Sequence, residues 1–410
     1  MLNRTKTVRT LLPAAAGILL LSANFAAQSN GIRRITLDQA QAQAAGNKAA
    51  NLAQLGIDAA RYHRQAAQAD YFPKIDSTFA NLHFNKFLGQ TIQLARRQAD
   101  LPLLTKDQTV FAVTVTQPVT PLFKVREAVS IARADEEIAR AKATQSAAQV
   151  ADSVERFYFG LLIAQRHQML AETRVQMIDA GLQVASIAVP PLDVSERRTA
   201  FLKADEDLAA AKVLATELSR SLNALIGFPP DTALELASPE PAVETVSLQE
   251  ATRQALVNSA EVIEAEQTAV KARAATKLSK LEYVPDVAVI GSYVYEIAVP
   301  LLPKDFAFVG VMASFNIFDF GKREKTVSER KTQLAMAEAA VELVKAKVAA
   351  GTQKAFLDLE RARKIRDLTL QLATMSGADG ARAQAEAEMF QAELDYRVAG
   401  SQLKRFISGR

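Results

Sequence analysis

The feature that most constrains this 410-residue chain is that its layout occurs twice. Ile35-Thr-Leu-Asp-Gln-Ala-Gln-Ala-Gln-Ala returns as Val246-Ser-Leu-Gln-Glu-Ala-Thr-Arg-Gln-Ala, and Asn47 returns as Asn258, an offset of 211. Alanine-rich, charged helical patterns then run into Tyr71-Phe72-Pro73 and Tyr283-Val284-Pro285, an offset of 212. Pro118-Val119 through Lys124 aligns with Asn316-Ile317 through Lys322, an offset of 198, and each segment opens a long helical pattern. Single matches are weak, but their shared order is strong. Each copy reads as helix, proline turn, strand, connection, strand, turn, long helix, turn and returning helix. The expected division is 28–236 and 237–410, with Gly227-Phe-Pro-Pro and Ser238-Pro-Glu-Pro marking the linker.

The helices carry coiled-coil seams. Val150, Val154, Phe157, Leu161, Ala164, Gln168, Ala171, Val175, Ile178, Leu182 and Ala185 alternate in steps of four and three. A return arm repeats the spacing with Phe201, Ala204, Leu208, Ala211, Ala215, Leu218, Leu222 and Leu225. In the second copy the seam is Leu334, Ala337, Val341, Val344 and Val348. A single helix over 124–189 would be roughly 100 Å long at 1.5 Å per residue, a rod rather than the core of a compact domain. The helical hairpins are therefore expected over 124–227 and 322–409.

Four segments have strand character instead: Ile75–Phe84, Thr109–Val119, Asp286–Val299 and Phe306–Phe318. Phe111, Val113 and Val115 alternate with Ala112, Thr114 and Thr116, and the segments are about the 9–11 residues of a tilted membrane-crossing strand. Pro73 and Pro285 end the preceding helices. The first pair has the longer connection, Asn85–Gln108, made mildly basic by Arg96, Arg97 and Lys106 and expected to be a loop. The second connection is Val299–Lys304.

Arg4, Lys6 and Arg9, the apolar run Leu11–Leu21 and the small residues up to Ala26-Ala27 read as an export signal over 1–27. Three of the formal +4 charges lie there, so the remainder is near neutral and gives no nucleic-acid signature. The absence of cysteine excludes disulfides, thiolate metal sites and a lipidated cysteine. His63, His83 and His167 are scattered, without a second ligand at i+3 or i+4, so no metal is expected. Phe320-Gly321-Lys322-Arg323 lacks the upstream glycine and following Ser/Thr of a phosphate loop, and Lys322 is expected to cap the strand end at a membrane boundary. With no catalytic constellation, neither an enzyme nor a cofactor is expected. Four amphipathic strands cannot close a barrel, and open edges in lipid leave backbone groups unsatisfied at several kcal/mol each. If these strands lie in a membrane, several chains must pool them.

The order Ile35-Thr-Leu-Asp-Gln-Ala, Tyr71-Phe-Pro, strand pair, long helix, Leu192-Asp193-Val194, returning helix, Leu225-Ile-Gly, then the same again, resembles the TolC family of outer-membrane efflux proteins over nearly the whole exported chain. The resemblance implies a mainly α fold with a small β part, in which long antiparallel coiled-coil hairpins join four transmembrane strands. It also implies a homotrimer whose twelve strands form one barrel in outer-membrane lipid, continued by helices as a periplasmic tunnel. The implied partners are a periplasmic adaptor (membrane fusion protein) and an inner-membrane transporter of the RND, ABC or major-facilitator (MFS) kind, and the implied function is a passive duct for efflux or type I secretion.

Carried over to this sequence, the hairpin tips are the periplasmic entrance and adaptor contact. The first is Val189, Pro190, Pro191, Leu192, Asp193 and Val194, where a proline pair replaces the usual glycine. The second is Ser376, Gly377, Asp379 and Gly380, centred on Asp379, which makes both arms of the second hairpin about eight residues, or roughly 12 Å, shorter. Asp379 is the candidate constriction, with a turn or N-cap aspartate as the alternative. Two rivals are a periplasmic adaptor, which needs one hairpin between split β-rich domains, and a secreted structural coiled coil, which leaves the strands unexplained.

Overall fold

The computed structural model describes residues 33–46, 48–86, 88–94, 97–188, 191–237, 246–297, 303–375 and 379–408. The expected signal segment lies outside them.

Strand β1 (Arg33–Ile35) leads into helices α1 (Leu37–Ala44) and α2 (Lys48–Ala69). Thr36 and Gln39 form a capping box that starts α1: each side chain bonds the other's backbone N–H. After Pro73 come β2 (Lys74–His83), β3 (Leu88–Leu94), β4 (Arg97–Leu104) and β5 (Asp107–Pro118), and then a 68-residue helix, α3 (Pro121–Ala188). Helix α4 (Pro191–Ile226) returns along it to β6 (Leu234–Leu236). The second half runs α5 (Leu248–Asn258), α6 (Ala260–Lys280), β7 (Asp286–Glu296), β8 (Asp305–Ser314), α7 (Lys322–Met375) and α8 (Asp379–Ser408).

Two orders coincide. The four long strands form one antiparallel sheet in the order β2-β5-β7-β8. The helices that precede or follow those strands pack side by side as α2-α3-α6-α7. Each strand therefore continues into a helix at the same place in the row, giving a four-wide ribbon with strands at one end and helices at the other. Ion pairs tie neighbouring helices: Arg64–Glu136 between α2 and α3, Lys271–Asp135 between α3 and α6, and Arg273–Glu338 between α6 and α7. Glu136 is buried, and the Arg64 guanidinium holds its carboxyl below the usual carboxylate range.

Beyond the ribbon, α3 with α4 and α7 with α8 make the two hairpins. Their expected seams are the buried rows: Val154, Leu161 and Ala164 on α3 meet Leu222 and Ala215 of α4 in one core. Ala337, Val341 and Val348 on α7 face α5 and α6. The second hairpin is the shorter, 54 and 30 residues against 68 and 36. The difference is unequal between arms, partly because α3 takes an additional first turn from Pro121, a residue preset for a helix start.

Three features differ from the sequence expectation. The Asn85–Gln108 connection is not a loop: β3 and β4 pair as a further antiparallel hairpin, with Leu94 opposite Arg97. The second strand pair stops at Glu296 and Ser314, so Phe315–Phe318 lies outside the sheet. Short strands β1 and β6 pair in parallel, Ile35 opposite Leu236. That pair is held by Tyr158 of α3, fully buried, whose hydroxyl donates toward the Ile35 and Ala237 carbonyls. Burial pushes its pKa up to about 12, so it remains a donor at all ordinary pH. Tyr158→Phe leaves the Ala237 carbonyl without this donor and is expected to cost about 1–3 kcal/mol, read as a lowered urea midpoint of the helical circular dichroism.

Candidate functional site

The sheet has two unlike faces, which the strand registers assign. Ile75, Phe79, Phe111, Val113, Val115, Tyr293, Tyr295, Val309 and Val311 fall on one face through the pairs Ile75–Val115, Phe79–Phe111, Phe111–Tyr295, Val113–Tyr293 and Gly291–Val309. No charged residue sits on this face between its ends, which carry His83, Asp107 and Asp305. The opposite face carries Asp76, Thr78, Gln108, Thr114, Thr116, Ser292 and Glu296, together with Phe306, Phe308 and Met312. Thr114 and Ser292 share a hydrogen bond of 3.0 Å across the central strands.

Burial separates the faces independently. On β5 and β7 every exposed residue, Asp107, Phe111, Val115, Val289, Tyr293 and Tyr295, belongs to the apolar face. The two buried ones, Gln108 and Ser292, belong to the polar face. This difference in enclosure is what a ribbon curved toward its polar side produces, with the polar face concave and the apolar face convex.

At the junction with the helices, Lys124 bonds Asp286 at 2.6 Å, and Thr120 accepts from the Val287 N–H while donating to the Pro285 carbonyl. On the other edge the chain makes a tight turn through Phe320 and Gly321, at φ of 55° and 79°. The Asp319 carboxylate accepts from the backbone N–H groups of Gly321 and Arg323 and from the Arg323 guanidinium. The helix-start donors are therefore occupied by a side chain, as a cap and not an anion site. Arg323 also donates to the Asn316 and Glu282 carbonyls and stacks on Tyr283 and Phe315. Sequence reading assigned the capping role to Lys322, whereas Arg323 performs it. The signal was an arginine four residues after an aspartate.

Of the expected entrance residues, Val189, Pro190, Ser376 and Gly377 lie outside the described residues. Pro191, Leu192, Asp193 and Val194 form the first turn of α4. Pro191 is its first residue, where no N–H is needed, rather than part of the turn. Asp379 and Gly380 open α8. Asp379 was expected at the centre of the turn, and its place is the helix start, where an acid complements the helix dipole. The three histidines stay apart, on α2, at the end of β2 and on α3. Among the described residues no group of three His, Cys, Asp or Glu could hold a metal, and no helix is long and apolar enough to cross a membrane.

A cavity of about 410 Å³ opens between α3, α7, α8 and the start of α6, lined by Asp152, Glu261, Lys347, Arg405 and Phe406. Its charges pair with each other, Arg405 with Asp152 and Lys347 with Glu261, which leaves none aimed at a ligand. Beside it, Glu155 is buried against α8, and loss of solvation raises its carboxyl above the ordinary 4.5, opposed by a hydrogen bond with Ser401 and by Arg405.

No protein-family model and no curated protein sequence matches this chain. Solved structures do. The outer membrane channel CmeC of Campylobacter jejuni superposes with a TM-score of 0.71 at 12% identity, covering 91% of this chain and 86% of that one. The outer-membrane channel OprN gives 0.71 at 16% identity, with 91% and 90% covered. The open state of the Neisseria gonorrhoeae MtrE outer membrane channel gives 0.64 at 15%, with 91% and 89%. The chain has the fold of these channels.

The raised Glu155 pKa has a signed consequence. A carboxyl with a higher pKa folded than unfolded stabilises the fold while protonated, and that contribution is lost as pH rises through the folded value. Glu155→Gln is therefore expected to melt above the parent protein at neutral pH, with the difference vanishing below the ordinary carboxylate pKa of 4.5. Thermal melts across that interval check it.

Proposed function

We propose that this chain is one of three identical subunits of an outer-membrane duct, the exit channel of an efflux pump or type I secretion system. In this reading it takes cargo from a periplasmic adaptor fed by an inner-membrane RND, ABC or major-facilitator transporter. It is a passive conduit rather than an enzyme. The observation that carries the reading is the ribbon: among the described residues β2 and β8 are sheet edges without a further strand, and α2 and α7 are the outermost helices of the row. A ribbon with a convex apolar face and two unpaired edges is suited to a closed barrel in lipid, polar inside.

The outer helices support closure by identical copies. On α2, Leu52, Leu55, Ala59, Tyr62, Ala66 and Ala69 are all exposed and spaced three and four residues apart. On α7, Met336, Ala339, Leu343, Ala346 and Ala350 are exposed at the same spacing, opposite the seam already buried in the chain. These are two unused coiled-coil seams on opposite edges, which is the arrangement of a head-to-tail contact that closes into a ring. If the halves are repeats at offsets of 198 and 212, the α3–α6 contact is a template for α7 against the α2 of the next copy. The Gln145–Glu264 hydrogen bond then maps onto Leu343 and Leu52. Polar pairs inside the chain become an apolar seam between chains.

Exposed Phe72, Phe123, Tyr283, Phe318 and Phe320 gather where the strands meet the helices, as expected of an aromatic girdle at a membrane boundary. The tips at 189–194 and 376–380 are assigned to the inner entrance and the adaptor contact. Asp379 is a candidate constriction there, although its place at the start of α8 equally fits a purely helical role.

Two experiments test this. The parent chain has no thiol, so a Leu52→Cys, Leu343→Cys double variant is expected to run as a covalent trimer on oxidation in the outer-membrane fraction; a soluble periplasmic monomer would overturn the reading. Neighbouring residues on β5 give the second. Val113→Arg, on the convex face, is expected to cost about 2–4 kcal/mol of folding in lipid, while Thr114→Arg on the concave face is tolerated. Equal tolerance of both would remove the assignment of faces.

A further inference from the structure

The two halves repeat in register as well as in order. Strands β2 and β7 begin 212 residues apart, as do helices α2 and α6, and β5 and β8 begin 198 apart. With those offsets the hairpin register of the two halves is identical: Lys74 opposite Thr116 in β2–β5 becomes Asp286 opposite Ser314 in β7–β8. The third pairing, β5 with β7, joins one half to the other. Carried through the same offsets, it gives each free edge a partner, β8 of one copy against β2 of the next. Thr114–Ser292 becomes Met312–Ala80, and Thr116–Ile290 becomes Ser314–Thr78. The faces agree: Ala80 and Met312 are both concave, and Asn81 and Val311, from Tyr293 and Val113, are both convex. An offset wrong by one residue would have set convex against concave. Exposure marks the same two strands. β2 is exposed at every residue but Ala80 and β8 at every residue but Gly310, whereas β5 and β7 are mostly half-buried. The large exposed apolar residues of the concave face, Leu82, Phe306, Phe308 and Met312, all belong to these edges. Charges are compatible as well. Lys86 falls opposite Phe306, beside Asp305 of the other copy, and Lys322 falls at Lys74, whose charge Asp70 already meets at 3.1 Å.

We propose that β8 of one copy pairs antiparallel with β2 of a second copy in this register, Met312 opposite Ala80 and Ser314 opposite Thr78. The pairing rests on the proposed duct and fixes what that reading leaves open, namely which residues meet at each seam. On the lumen side, Phe84, Leu82 and Ala80 of one copy stand opposite Phe308, Gly310 and Met312 of its neighbour. The seams between copies are therefore apolar where the central pair is tied by the hydrogen bond of Thr114 with Ser292. That exchange suits a contact formed by association: apolar cross-strand pairs gain by leaving water, whereas a hydroxyl pair exchanges one set of hydrogen bonds for another. The same two offsets carry Gln145–Glu264 onto Leu343–Leu52 along the helices. One placement of the neighbour thus satisfies the strand edge and the helix seam together.

Cysteines at four concave positions of the full chain test the register, with oxidation in the outer-membrane fraction and denaturing gels without reductant. The Ile297 N–H donates to the Thr109 carbonyl, which by alternation makes Thr114–Ser292 and Thr116–Ile290 non-hydrogen-bonded pairs. Such pairs have Cα atoms about 4.5 Å apart, within the reach of a disulfide. Ala80→Cys with Met312→Cys, and Thr78→Cys with Ser314→Cys, are each expected to give covalent trimers. The second pair is nearly isosteric and stands in should Met312→Cys impair folding. The crossed combinations, Thr78→Cys with Met312→Cys and Ala80→Cys with Ser314→Cys, report slips of two residues in either direction and are expected to stay monomeric on the gel. Within one chain the two edges are three strand spacings, about 14 Å, apart, so any link joins copies. The Leu52→Cys, Leu343→Cys helix pair runs alongside. A link in a crossed combination would overturn the register and leave the duct standing. A link in the helix pair with none in either matched strand pair would do the same. No link in any pair would overturn both.

Discussion

The backbone accounting of two edge strands governs this molecule. Inside the sheet, β5 and β7 exchange hydrogen bonds on both sides, but β2 and β8 each do so on one side. A ten-residue edge without a partner is tolerable in water and costly in lipid. Among the described residues nothing else in the chain covers either edge: the extra hairpin β3–β4 pairs only with itself, and β1–β6 forms its own two-stranded sheet among the helices. The convex apolar face, the helix row and the two spare seams are all arranged about those same edges.

Strands and helices do not fit end to end without adjustment. Neighbouring strands lie about 4.8 Å apart, whereas packed helices need about 8–10 Å. A row of four that passes from one to the other must widen at the junction. The segments there are the irregular ones: Tyr71–Pro73, Thr120, the short 3-10 turn Leu281–Tyr283, and the tight turn at Phe320-Gly321. Their polar groups are nonetheless satisfied by side chains, through Thr120, Lys124, Asp319 and Arg323. Arg323 is suited to the edge position, because its planar fork reaches two carbonyls and a carboxylate at once while its face stacks on two rings. A lysine there would offer a point charge without the stacking.

Much of this was legible in the residues, because hydrophobic period is a direct record of burial. Val154, Leu161, Leu208 and Leu222 could be read as seam positions and are buried as such. The central strands were legible from alternation and proline punctuation, to within two or three residues at their ends. What escaped reading lacked a period. β1 and β6 are three residues each, too short to show one. The β3–β4 hairpin turns between Leu94 and Arg97 without glycine or asparagine, so the usual turn signal is missing. Tyr158 lies beside the seam residue Phe157 and was not part of the seam, and only its two carbonyl partners reveal it as a tie between distant segments. The face of the sheet was likewise hidden: alternation says that a strand has two sides, but only the register of all four strands says that Phe306 and Phe308 share a side with Thr114 rather than with Tyr293.

The outer helices show why one correct reading can conceal another. On α7 the seam Leu334, Ala337, Val341, Val344, Val348 accounts for the packing against α6, and a heptad search is satisfied once it is found. Yet Met336, Ala339, Leu343, Ala346 and Ala350 repeat the spacing two residues later, about 200° around the helix at 100° per residue. A helix in a simple hairpin needs one seam. A helix with two, on nearly opposite sides, is suited to neighbours on both, and among the described residues the chain supplies only one of them. Helix α2 poses the same demand at the other edge, with Leu52, Leu55 and Tyr62 exposed while Arg64 bonds inward to Glu136. The composition of the spare seams also bears on how copies meet. Alanine at many positions allows close helix approach while burying little area each, so in the proposed trimer the contact would draw its strength from continuing along the helices into the strand edges rather than from any one cluster.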